Sequence, residues 1–239
     1  MARVLVFRPR FDLPTIYGHA WLGRIAEEAR ALGHTVLDLS ENDATKDRFL
    51  EALTDFRPDL IFAMGHGSPE LFSGQNREIV FRACENDDML IGTQSYWVSC
   101  LMGQNLAPSI VDKGGRVAAA YIQEFIWVIH PGYDDRPLED PYARPFMRAV
   151  VDPSIALLAG STWRDFYNLT VRRFNEGIRA WFDSTDPNAP QIVAALEHDR
   201  DSLIVLGEVT LIPALVPRLF PSLPPAVFGL ILLVLSPIL

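Results

Sequence analysis

The chain has 239 residues, with 21 Lys and Arg against 30 Asp and Glu, for a formal net charge of -9. That length accommodates one α/β domain with a sizeable core, or one domain and a tail. The acidic balance argues against a nucleic-acid partner, because neutralising phosphates needs a concentrated basic face. Two cysteines, Cys84 and Cys100, are too few for a disulfide framework.

In chain order, "ARVLVF" (2–7) is an apolar, β-branched run of strand length. The N-terminus reads as a strand rather than a signal peptide, and a reducing, cytoplasmic setting is the expectation. "YGHAWLGRIAEEARALG" (17–33) has helical spacing through Trp21, Ile25, Ala29 and Leu32 and ends at Gly33 as a C-cap. "HTVLDL" (34–39) predicts a second strand, "ATKDRFLEALTDF" (44–56) a second helix, and "DLIFAMG" (59–65) a third strand between Pro58 and Gly65. "SYWVSC" (95–100) is the fourth strand, "MGQNLAPSIVDKG" (102–114) a helix, and "GRVAAAYI" (115–122) the fifth strand. Residues 163–183 predict a long amphipathic helix, and "DSLIVLGE" (201–208) a last strand. This alternation predicts an α/β fold, a three-layer αβα sandwich around a mostly parallel sheet. The proline-rich, charged segment 130–146 reads as an exposed loop.

Residues 1–212 are expected to form the domain and 213–239 a proline-rich apolar tail. From Leu219 to Leu239 no residue is charged. The prolines leave only Ala226 to Ser236 as an uninterrupted helix, too short to span a bilayer alone. A membrane contact through 219–239 and a buried or partner-docking tail are both open at this point.

Two residues carry the chemistry. His66 follows the third strand in "IFAMGHGSP" and Cys100 ends the fourth; in an open α/β sheet, ligands bind outside the carboxyl ends of the strands. If these strands are neighbours, the two side chains lie about one strand spacing, roughly 5 Å, apart. An imidazole beside a thiol favours the nucleophilic thiolate, and a helix starting just after Cys100 would do the same. The backbone N–H groups of Gly67 and Cys100 are the candidate oxyanion donors. No metal is expected, because His19, His34, His66, His130 and His198 lack the pair spacing of a closed site. No phosphate-binding glycine motif occurs, and no cofactor is expected.

"LIFAMGHGSP" followed by "YWVSCLMGQNLAPSIVDKGGRVAAAYI" resembles the caspase-hemoglobinase fold of cysteine peptidases, in its gingipain-type branch. The spacing of 34 positions between His66 and Cys100, the glycine pair Gly114 and Gly115, and "LIVLGEVTLIP" near the end are similar to that branch. In the last of these, Glu208 and Val209 stand where the branch has Asp-Pro. The resemblance implies a caspase-like fold and a peptide or protein substrate. It also implies roles for His66 as general base or orienting group, Cys100 as nucleophile, and Gly67 in the oxyanion hole. It gives no specificity pocket; Asp12, Glu70 and Glu124 are acidic candidates for recognising a basic side chain. The alternative is an inactive descendant that keeps the fold as an interaction or assembly module, membrane-anchored by the tail. "RPRFDLPTIYG" (8–18) and the aromatic residues Tyr121, Phe125, Trp127 and Tyr133 are further candidates for the substrate wall.

Overall fold

The computed structural model describes residues 1–213. In chain order these form β1 (Arg3–Arg8), α1 (Leu13–Ala31), β2 (Thr35–Ser40) and α2 (Lys46–Glu51), the last continued by a π turn over Ala52–Phe56. They continue through β3 (Leu60–Met64), the short strands β4 (Leu71–Ser73) and β5 (Ile79–Arg82), β6 (Gln94–Val98), α3 (Leu106–Asp112) and β7 (Val117–Tyr121). Three helices follow, α4 (Arg144–Leu158), α5 (Trp163–Phe182) and α6 (Ala189–Ser202), and then β8 (Leu203–Gly207).

The main sheet runs β2-β1-β3-β6-β7-β8. Its first five strands are parallel and β8 is antiparallel to β7. Every residue of β3, β6 and β7 is buried, the expected result for apolar runs such as "LIFAM" covered on both faces. Alternation along these strands divides the core in two. Val4, Val6, Leu60, Phe62, Tyr96 and Val98 share one core with Trp21, Phe146 and Phe166 of α1, α4 and α5. Leu5, Phe7, Ile61, Ala63 and Trp97 share the other with Phe49 of α2 and Leu106 of α3. There Phe49 stacks on Trp97 at 6.1 Å, and Phe72 of β4 meets Trp97 edge-on at 4.9 Å. The molecule is therefore a three-layer α/β sandwich.

Several elements differ from the sequence expectation. Helix α1 starts at Leu13 rather than Tyr17 because Asp12 caps it: Thr15 N donates to Asp12 Oδ1 (3.1 Å) and Asp12 N donates to Thr15 Oγ1 (3.0 Å). The β4–β5 hairpin, α4 and α6 were not expected. The segment 130–146 is not simply an exposed loop. Its Asp140 is fully buried and accepts hydrogen bonds from Tyr17 Oη (2.7 Å), His130 N (3.1 Å) and Tyr142 N (2.8 Å), which fasten the segment to α1 before α4 begins. The membrane-contact expectation for 219–239 lies outside the described residues. Among the described residues, no helix is long and apolar enough to cross a membrane.

Since β1 has β2 on one side and β3 on the other, the direction of chain winding reverses between β1 and β3. A crevice opens at the carboxyl ends of such strands.

Candidate active site

The register of the sheet brings His66 and Cys100 to one rim. Met64 of β3 pairs with Val98 of β6 as the last registered pair, and His66 and Cys100 stand at the same offset beyond it. Both line a cavity of about 270 Å³. Leu13, Pro14 and Thr15 from the start of α1 form one wall, and Phe125, Ile126, Trp127 and Ile129 from the segment after β7 form another.

The hairpin fixes His66. Ser73 donates to the His66 carbonyl through both its backbone N (2.9 Å) and its Oγ (3.1 Å), and Gly67 bridges Phe72. Both glycines beside His66 are required by close approach. A Cβ on Gly65 would overlap the Ser73 carbonyl, and one on Gly67 would overlap Ser99 Oγ and the Cys100 carbonyl. Gly65, which bounds the third strand in the sequence, is thus a packing glycine.

His66 Nε2 lies 2.7 Å from Asp12 Oδ2. Partial burial pushes the Asp12 carboxyl up, but hydrogen bonds from His66 and Thr15 outweigh it and hold the group below the usual carboxylate range. An ionised carboxylate only accepts, so Nε2 carries the proton and Nδ1 is the basic nitrogen. Arg77 Nη2 adds a cation 3.7 Å from the same oxygen. Phe11 meets the imidazole edge-on at 5.8 Å.

Cys100 is partly buried, and its thiol donates to the Phe125 carbonyl at 4.0 Å. Burial pushes the thiol pKa up, with the charges of Glu124 and Asp199 adding to the rise. The expectation of a helix beginning just after Cys100 is corrected: turns follow it and α3 begins only at Leu106, so no helix end lies at the sulfur. The resting group is a neutral thiol. Leu101, at φ 61°, and Gly103 return the chain toward β7 through Leu101 N to Gln123 O (2.9 Å) and Gly103 N to Tyr121 O (2.8 Å). The N–H groups of Gly67 and Cys100 take no part in the backbone hydrogen bonds of the described residues.

The three acidic candidates separate. Asp12 is bound to His66, while Glu70 and Glu124 are exposed and do not line the cavity. Of the aromatic candidates, Phe125 and Trp127 line the cavity, Tyr121 is core, with its hydroxyl 2.7 Å from that of Tyr96, and Tyr133 packs on His130. Sequence reasoning missed Asp12 as the partner of His66. The available signal was an aspartate, a proline and a threonine in cap order directly after the first strand, on the same rim as His66.

No family model matches the chain, and no curated protein matches it. Among solved structures it is similar to the complex of Porphyromonas gingivalis RgpB pro- and mature domains, with a TM-score of 0.59 at 13% identity. The match covers 88% of this chain and 48% of the other, so the chain spans about half the length of the solved chain it matches. The likeness is one of fold: a mostly parallel sheet flanked by helices, with a caspase-like architecture.

Proposed function

We propose that the chain is a cysteine endopeptidase in which Cys100 is the nucleophile, His66 the general base and Asp12 the positioning residue for the imidazole. The observation that carries this reading is that His66 and Cys100 line one strand-end cavity, with Asp12 2.7 Å from His66. His66 Nδ1 takes the thiol proton as sulfur attacks the scissile carbonyl carbon, and the new oxyanion is met by the N–H groups of Gly67 and Cys100. The imidazolium then protonates the leaving amine, the C–N bond breaks, and a thioester to Cys100 remains. Water, deprotonated by His66, attacks that thioester and releases the carboxylic acid and the thiol. Because the resting thiol is neutral, proton transfer accompanies attack, and Asp12 supplies the charge that stabilises the imidazolium as it forms.

Incubating the full chain with an unbiased mixture of unmodified peptides tests this. The expected result is internal cleavage that stops after prior alkylation of the thiols. Absence of cleavage between about pH 5 and 9, a range bracketing histidine titration, would favour the inactive interaction module instead.

A further inference from the structure

The cavity beside Cys100 has a chemistry distinct from that of the catalytic groups. Among the described residues, no ionisable side chain other than those of His66 and Cys100 lines it. Its walls are largely apolar, formed in part by Leu13, Met64, Val98, Phe125, Ile126 and Ile129. Leu13 is 37% exposed and Ile126 40% exposed, among the few large apolar side chains that reach the surface, and both stand at this one site. Apolar surface left uncovered beside reactive groups marks where a ligand is covered by the protein.

Charge supports the same occupant. A cationic side chain entering this cavity would lose water without gaining a counter-ion, which costs several times what a hydrogen-bonded neutral group costs. Asp12 is committed to His66 and Arg77. Asp199 is fully buried; its Oδ1 accepts the Ile126 N–H at 3.0 Å, and burial pushes its pKa well above the usual carboxylate value. It holds the wall in place from behind and does not line the cavity. Glu124 is exposed and turns its backbone carbonyl to His198.

Size sets the rest. Pockets for whole small-molecule ligands run from about 300 to 1,000 Å³. At about 270 Å³ this cavity suits a single large side chain. Its other polar lining residues are few, Thr15, Ser99 and Trp127, and the Ser99 Oγ is buried against Gly67 rather than open to the cavity.

We infer that the cavity is the specificity pocket for the residue on the acyl side of the scissile bond, and that it selects a large uncharged apolar side chain of leucine, methionine or phenylalanine type. This inference rests on the proposed role of Cys100 as nucleophile.

The test uses peptidyl acyloxymethyl ketones identical except at the residue next to the electrophile, which is Leu, Phe, Arg or Asp. The rate of Cys100 modification is followed by intact mass and peptide mapping. The Leu or Phe probe is expected to modify Cys100 at least about tenfold faster than the Arg and Asp probes. In Ile126→Asp, a change at an exposed wall position, the advantage over the Arg probe should narrow or reverse. Fastest modification by the Arg or Asp probe overturns the apolar assignment and leaves the nucleophile standing. An unchanged preference in I126D also overturns it. Modification of Cys100 by none of the probes overturns both readings.

Discussion

Replacing Cys100 with alanine abolishes peptide hydrolysis, lowering kcat/KM by at least about 10⁴-fold, the scale seen when a covalent nucleophile is removed. The folded state should barely notice the change. Cys100 is partly buried, and its one hydrogen bond, to the Phe125 carbonyl, is long at 4.0 Å. The unfolding free energy should therefore move by no more than about 1 kcal/mol, measured by urea titration alongside the kinetics. Cys84→Ala is the matched control: that thiol is exposed and lies outside the cavity, so activity stays at the wild-type level. A C100A protein that still cleaves peptides at the wild-type rate removes the thiol from the mechanism.

Asp12→Asn has the second largest effect, a fall in kcat of about 10²–10⁴-fold, because an amide can hold His66 in the wrong tautomer and carries no charge to stabilise the imidazolium. A merely structural role for Asp12 would lower stability without this selective loss of kcat, and Asp12→Glu should restore part of it. The stability effect has a definite sign with pH. The folded-state pKa of Asp12 lies below its ordinary 3.8, so its contribution is present above that value and is lost as pH falls through the folded pKa. The difference in Tm between wild type and D12N should shrink as the solution is acidified below about pH 4. A gap that widens on acidification would mean that the His66–Asp12 contact is not the one described.

How much of this was visible in the amino-acid sequence follows from how each element is stabilised. The central strands of the main sheet were legible because they are buried on both faces and read as apolar runs, as in "LIFAM" and "VAAAY". Helix α5 was legible from its apolar stripe. Helix α4 was hidden by Pro145 in its first turn and Pro153 inside it, residues that normally argue for a break. Helix α6 was hidden because two of the residues it buries, Asp199 and Ser202, are polar, which blurs the apolar period. The β4–β5 hairpin has strands of three and four residues. Its connection includes Asn76 and Arg77 at positive φ rather than a two-residue glycine turn, so no short-range signal announced it.

The candidate site divides along the same line. His66, Cys100 and Gly67 each sit beside a strand end, and strand ends can be read from hydrophobic runs. Asp12 lies after a different strand, and its distance to His66 depends on the order β1-β3-β6, which no local pattern encodes. The state of the thiol was read in the wrong direction for a related reason. Burial of Cys100 depends on how the chain packs around it and not on its neighbours in sequence, and the helix expected beside the sulfur begins later than the apolar pattern implied.

The central claim is that His66 and Cys100 form one reactive centre, and the chain carries its own internal control for it. Cys84 is exposed, while Cys100 is partly buried with its thiol pKa raised by desolvation, so a small nonspecific alkylating agent should modify Cys84 first. The decisive measurement is the ratio of Cys100 to Cys84 modification by a peptidyl acyloxymethyl ketone, taken in wild type and in His66→Ala at one pH. The dyad predicts that the peptidyl reagent reverses the order, modifying Cys100 first, and that this preference is lost in H66A. Modification that follows exposure, with Cys84 first in both proteins, or equal reaction of Cys100 with and without the imidazole, contradicts it.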